Sequence, residues 1–324
     1  MRLQEIEIST IGQVKIGHAQ DEAAGTGCTV IVCPQGAPTG LDVRGGGPAS
    51  RESELLNPLA AAEGIHAVLL SGGSAFGLDA AGGVMDYLQK QDIGFDTGIV
   101  KVPLVCQSCI FDLGVGKSDV YPDRAMAIAA CEDAWRGGPV SQGNVGAGMG
   151  ATVGKYLDPA RMMKSGLGVY AVAVGSLKVG AVVSVNALGD IFDLDTGREL
   201  AGMLSEDGAG FASTEAAFYE DTRRQDNFFT GNTTIGAVIT NARFNKSEMN
   251  KIAAMAQNGL ARTINPVHTT ADGDSVYAMS VGQLSADINV VGTLAARVLG
   301  MAVNRAVCSA EPAFGLKTAA QMMR

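Results

Sequence analysis

A hydroxyl residue that opens a strand after a polar loop can act as a nucleophile on the peptide bond before it. Asn232-Thr233 is such a junction. A small residue is followed by a hydroxyl residue, after the polar and charged stretch 205–227 and just before the strand-like run 235–240. The Thr233 hydroxyl can attack the preceding carbonyl, giving an ester through an N-to-O acyl shift that water then hydrolyses. Cleavage would free the α-amine of Thr233. An α-amine has a pKa of about 7.7–8.0, so a useful fraction is neutral near pH 7 and can act as base for its own hydroxyl. That chemistry needs no histidine, which suits a chain with three. Taken alone, a Thr-Thr pair opening a strand is also an ordinary β-propensity choice.

Other patterns carry less. Gly143-Asn144-Val145-Gly146-Ala147-Gly148-Met149-Gly150-Ala151 contains a G-x-G-x-x-A match, and Gly154-Lys155 resembles the end of a P-loop. Met149 stands where a P-loop needs its first glycine, and Tyr156 where Ser or Thr would bind magnesium. Residues 136–142, polar and Gly/Pro-containing, are not the hydrophobic strand that a dinucleotide fingerprint follows. Cys106-Gln107-Ser108-Cys109 has C-x-x-C spacing without a second ligand pair, whereas structural zinc takes four ligands, so these cysteines read as buried thiols. His18, His66 and His268 are scattered, the first two reading as structural residues, and no G-x-S-x-G supports a serine triad.

The elements that must position Thr233 follow from apolar spacing. Strands are expected at 28–33, 66–70, 169–174, 179–185, 235–240 and 275–281, with a hairpin turn over Gly175-Ser176-Leu177-Lys178. Helices are expected over 75–88, 123–135 and 286–307, and a fourth to about residue 260 behind the capping box Asn245-Lys246-Ser247-Glu248. Residues 205–227 read as a surface loop, lid or linker. Mixed strands and helices with antiparallel hairpins indicate a layered α+β fold. With 324 residues, 47% hydrophobic and 18% charged, the chain can bury a sizeable core. Its net charge of −9 and lack of a basic cluster argue against nucleic acid or an anionic membrane as partner. Neither a signal peptide nor a disulfide framework is legible, so a cytoplasmic protein with free thiols is expected.

Six stretches, in order, resemble the P1 family of self-processing peptidases, the group of the L-aminopeptidase/D-esterase, the β-peptidyl aminopeptidases and the nylon-oligomer amidases. They are Gly40-Leu41-Asp42-Val43-Arg44-Gly45-Gly46-Gly47-Pro48, Ser71-Gly72-Gly73-Ser74-Ala75-Phe76-Gly77-Leu78, Gly143 to Gly148 continuing to Lys155, Val185-Asn186-Ala187, Asn232-Thr233-Thr234-Ile235-Gly236, and His268-Thr269-Thr270-Ala271-Asp272-Gly273-Asp274. The resemblance implies a four-layer αββα sandwich, similar in layering to N-terminal nucleophile hydrolases but with its own connectivity. It implies one self-processing domain over 1–324, cut before Thr233 into chains 1–232 and 233–324 that assemble as a homo-oligomer. Thr233 would be the nucleophile, Asn186 an oxyanion donor and Lys155 an electrostatic aid around the reacting carbonyl. Of Asp272 and Asp274, which would share a face in an extended segment, one would orient the Thr233 amine and the other meet the substrate. No metal or organic cofactor is required.

The implied reaction is hydrolysis of amide bonds in peptides, amino-acid amides or related oligomers. Members resembling the D-esterase carry serine and glutamate at the two aspartate positions, whereas two aspartates resemble the nylon-oligomer amidases, so an endo-acting amidase stands beside the aminopeptidase. An acyltransferase related to ornithine acetyltransferase would keep the nucleophile, but Asn232-Thr233-Thr234-Ile235 does not match that group's alanine-threonine-methionine-leucine type of cleavage motif. A non-catalytic binding protein of the same fold is the remaining reading.

Overall fold

Runs rich in valine, isoleucine and alanine form strands that are buried along both faces, as strands between two apolar layers must be. The computed structural model describes residues 3–220, 222 and 231–323. Its larger sheet has six strands in the order Gln4–Glu5, Leu167–Val174, Leu177–Asn186, Thr233–Ala242, Ser275–Leu284, Thr39–Val43. Neighbours are antiparallel except Thr233–Ala242 and Ser275–Leu284, which run parallel. The expected hairpin is present, with a tighter turn than 175–178: Leu177 and Lys178 already pair with Val174 and Ala173, leaving Gly175-Ser176, and Gly175 supplies the positive φ of +61° that a two-residue turn needs. A second sheet orders Lys15–Asp21, Thr26–Ala37, Ile65–Ser71, Val105–Cys109, Ala49–Arg51.

Helices α1 (Ala80–Lys90) and α2 (Arg124–Arg136) pack on the five-stranded sheet. Helices α4 (Lys246–Ala261) and α5 (Ile288–Cys308) pack on the six-stranded one, with the short α3 (Thr214–Glu220) lying between α2 and α4 in the chain. Three apolar cores separate the layers. One lies under α1 and α2, one under α4 and α5, and one between the sheets around Ile31, Val68, Leu70, Val182, Ile239 and Met279. The architecture is the four-layer αββα sandwich. Tyr277, fully buried between the sheets, meets Ser108 through its hydroxyl at 2.8 Å, so its polar tip is satisfied.

Helix α5 is long and apolar enough to cross a membrane by length and composition, with mean hydropathy 1.3, yet 67% of that window is buried inside the protein. Its close seat on the sheet depends on Gly168, where a Cβ would stand 1.8 Å from the Ala302 carbonyl oxygen of α5. Gly168→Ala is therefore expected to destabilise the fold by about 1–3 kcal/mol or more, read as a fall in the urea midpoint at unchanged slope.

Two expectations need revision. Residues 74–79 form a 3-10 turn, and the α-helix starts only at Ala80. The chain there folds tightly on itself: Ser74 has φ +52°, and Gly77 crosses Gly72 so closely that a Cβ would meet its carbonyl oxygen at 2.0 Å. Within 205–227 the structure has α3 rather than loop throughout. Two turns are too short for apolar periodicity to register, and this helix is anchored from outside. Buried Asp190 accepts the Thr214 amide at 2.7 Å and the Thr214 hydroxyl at 2.6 Å. Of the expected loop, residues 221 and 223–227 lie outside the described residues.

Candidate active site

Thr233 is the first residue of a central strand, paired with Asn186 on one side, while Asn232 bridges to Asp272 on the other. It is only 4% exposed. Its Oγ donates a hydrogen bond to the carbonyl oxygen of Asn232, the carbonyl it would attack. That oxygen also accepts the Gly273 amide at 2.9 Å. The bond between Asn232 and Thr233 thus has a hydroxyl against it and a backbone donor on the oxygen that would become negative during attack.

Asn186 ends the neighbouring strand. Its Oδ1 accepts from the Thr152 amide (3.1 Å), the Thr152 hydroxyl (3.3 Å) and Lys155 Nζ (2.7 Å). Three donors on that atom leave one orientation for the amide, with Nδ2 donating to the carbonyls of Gly231 (3.0 Å) and Phe111 (3.1 Å). Lys155 Nζ also donates to the Gly231 carbonyl, at 3.3 Å. The two side chains expected around the reacting carbonyl therefore converge, in the uncut chain, on the carbonyl one residue earlier. Asn186 faces Thr233 across the ladder, so its amide reaches past the strand end to the incoming segment. The Asn232 carbonyl takes its donor from Gly273 on the opposite side.

Part of the Lys155 side chain reaches the surface, while its ammonium is enclosed among these carbonyls. Burial pushes its pKa down to about 7, against the opposing charges of Asp272 and Asp112. The folded state then binds fewer protons than the unfolded one between pH about 7 and 10.5, so stability rises with pH across that window. In an uncut Thr233→Ala background, adding Lys155→Met is expected to flatten this rise by up to about 1.4 kcal/mol per pH unit, measured by urea unfolding.

Asp272 Oδ2 accepts from the Thr269 amide (2.9 Å) and hydroxyl (2.5 Å). Burial, then the charge of Asp274, raises its pKa to about 6. Asp274, fully buried, accepts the Thr234 amide on Oδ1 at 2.7 Å, and its Oδ2 faces His268. In the uncut chain Asp274, one of the two carboxylates between which the orienting role was left open, thus holds the amide one residue beyond the nucleophile's own nitrogen. Gly45 and Gly47 press against this aspartate turn, Gly47 donating to the Asp272 carbonyl at 2.8 Å.

Asp112 was not legible as a site residue, being a single acid after an apolar strand. It is buried, accepts from Gly73 (2.7 Å) and Thr26 (2.7 Å), and adjoins Phe111, whose carbonyl meets Asn186. Its pKa is pushed up to about 6 by burial. Lys164, fully buried, carries no signal in the sequence either. It donates to the carbonyls of Gly148, Ala151 and Ser165, holding the loop that leads to Lys155. That glycine-rich loop packs against protein backbone. A Cβ on Gly148 would lie 2.0 Å from the Leu167 nitrogen, and one on Gly150 2.0 Å from the Gly25 oxygen. Cys106 and Cys109 are buried thiols in one strand, Cys106 with its pKa raised by burial to about 12. His18 and His66 are held within the fold, His18 against Thr29 at 3.0 Å and His66 accepting the Leu104 amide at 3.1 Å.

The profile of Peptidase family S58 matches residues 7–320 of this chain. The chain belongs to that family. As an S58 member it is a hydrolase. An uncharacterized aminopeptidase of Mycobacterium leprae is 36% identical over 96% of this S58 chain and 92% of its own length. A 6-aminohexanoate-oligomer endohydrolase of Kocuria sp. (strain KY2) is 33% identical over 90% and 82% respectively. Among solved structures, a Burkholderia sp. β-aminopeptidase superposes with a TM-score of 0.67 at 17% identity, covering 98% of this chain and 92% of its own. The L-aminopeptidase D-Ala-esterase/amidase of Ochrobactrum anthropi, described as a variant of the Ntn hydrolase fold, gives 0.66 at 15% identity, covering 94% and 86%. At those identities the structural likeness speaks for the fold, which is the S58 sandwich described above.

Proposed function

We propose that this S58 protein is a self-cleaving N-terminal threonine hydrolase of amide bonds in peptides, amino-acid amides or related oligomers. The observation that carries the reading is the Thr233 hydroxyl against the Asn232 carbonyl, whose oxygen also accepts the Gly273 amide. In processing, Thr233 Oγ bonds to the Asn232 carbonyl carbon and the C–N bond breaks, its nitrogen taking the hydroxyl proton. Water then hydrolyses the ester, leaving a carboxylate on Asn232 and a free amine and hydroxyl on Thr233. In turnover the amine takes the proton from Oγ as it attacks substrate. An acyl-enzyme forms, the product amine leaves, and water releases the acid.

Removal of the Gly231-Asn232 segment frees Asn186 Nδ2 and Lys155 Nζ, which then face a substrate carbonyl. A cation beside the new amine favours its neutral, basic form. Aminopeptidase action is the primary reading, in line with the mycobacterial relatives. The pair Asp272 and Asp274, together with the oligomer endohydrolase relatives, favours an endo-acting amidase as the second. The cut protein would act as a homo-oligomer of two-chain units.

Intact-mass spectrometry with sequencing of the new terminus tests the processing, and a panel of aminoacyl amides, β-peptides and linear amide oligomers tests the specificity. A terminus beginning anywhere but Thr233 would overturn the first. Release of single terminal residues alone would favour the aminopeptidase over the endo-acting enzyme.

A further inference from the structure

Asp274 is shared between the nucleophile's strand and a histidine. Its Oδ1 accepts the amide of Thr234, the residue directly after the nucleophile, at 2.7 Å. Its Oδ2 accepts the backbone amide of His268 at 3.1 Å and lies 2.9 Å from His268 Nδ1. Both oxygens of a fully buried carboxylate are therefore committed, one to the strand and one to this histidine. The ring's other nitrogen, Nε2, is buried with no hydrogen-bond partner among the described residues. The Nδ1–H tautomer satisfies the carboxylate and leaves only a lone pair unmatched, a smaller penalty than an unmatched N–H.

The backbone at His268 points the same way. Its φ is +60°, in the left-handed region that few non-glycine residues enter and in which asparagine, aspartate and histidine are the side chains most often found. A glycine would take that turn without strain, but it would have no ring to place on Asp274. The amide and the ring of one residue both reach Oδ2 only because the chain turns sharply there.

Resting on the reading of Thr233 as nucleophile, we propose that His268 is a positioning residue, holding Asp274 in the rotamer that pins the Thr234 amide and so keeps the Thr233 hydroxyl on the bond it attacks. Without the Nδ1 donor the carboxylate keeps only the two backbone amides of Thr234 and His268 as hydrogen-bond donors among the described residues, and its rotamer is held less firmly against the amide after the nucleophile. A displacement of about 1 Å at a reacting atom can cost on the order of 10²-fold in rate.

The test compares His268→Asn and His268→Gly with the unaltered protein. Asparagine keeps an N–H₂ donor near the Nδ1 position and tolerates a positive φ, whereas glycine relaxes the backbone and removes the donor. Conversion of the uncut chain into two fragments is followed by intact mass, and kcat and KM of the cut protein are measured on alanine p-nitroanilide. The expected result is that His268→Asn retains most of the processing rate, while His268→Gly processes about 10²-fold more slowly and loses kcat with little change in KM. A purely conformational role predicts the opposite order, with His268→Gly equal to or faster than the unaltered protein, and that outcome overturns the proposal. If His268→Gly does not fold, His268→Asn is compared with the similarly sized His268→Leu, and equal rates overturn it. Failure of the unaltered protein to cut itself would instead sink the reading of Thr233.

Discussion

Thr233→Ala is expected to yield a single chain of 33.2 kDa with no measurable amide hydrolysis, where the unaltered protein yields pieces of about 24 and about 9 kDa. The expectation rests on one oxygen doing two jobs. In the uncut chain it lies against the Asn232 carbonyl, and after cleavage it is the only hydroxyl attached to the new terminus. Alanine removes both, and loss of a nucleophile from a site that works as a unit costs on the order of 10⁶-fold in kcat. Thr233→Ser keeps the oxygen and should still cut, which separates loss of chemistry from loss of packing at a residue this buried. Normal cleavage of Thr233→Ala would eliminate the mechanism. The measurement is intact mass over time, followed by release of p-nitroaniline from an aminoacyl p-nitroanilide.

The second large effect belongs to Asn186. Its Oδ1 is saturated by Thr152 and Lys155, so its Nδ2 is fixed toward the space now filled by the Gly231 carbonyl. A donor held rigidly in a nearly dry site stabilises developing negative charge without reorganising, and removing one typically costs about 10²–10³ in kcat. Asn186→Ala is expected to show that loss with KM little altered, measured on the two-chain fraction after separation from uncut protein. Processing should slow as well, because among the described residues the Gly231 carbonyl would keep Lys155 alone as a side-chain donor. An Asn186→Ala enzyme with raised KM and unchanged kcat would show that the amide holds substrate in its ground state and does not serve the transition state.

The candidate nucleophile was legible in the sequence itself. The hydroxyl after a small residue at the head of a strand is a local signal that carries its chemistry in its own type and position. Lys155, Asn186 and the aspartates two apart entered only through the resemblance to the P1 family, since a lysine after a glycine, a strand-end asparagine and an Asp-Gly-Asp turn are each commonplace by themselves. Periodicity likewise located the strand that Thr233 heads and the helices packed behind it, because burial of one stripe leaves a trace in consecutive residues. α3 left no such trace, since its two turns are held by Asp190 from another part of the chain.

Asp112 and Lys164 were silent for the same reason. A lone acid or lysine looks like surface until the fold closes over it, and both here are buried among backbone groups that meet only in three dimensions. The sequence alone determined the nucleophile candidate and the layered α+β class, which follow from side-chain chemistry and from patterns that repeat within one element. The residue types expected around the cut came from the resemblance of six ordered stretches to one family. Which carbonyl each donor reaches and which amide Asp274 holds were decided by the tertiary structure. Hydrogen bonds act over about 3 Å, and residues more than 30 apart in the chain come within that range only when strand register and loop packing set them there.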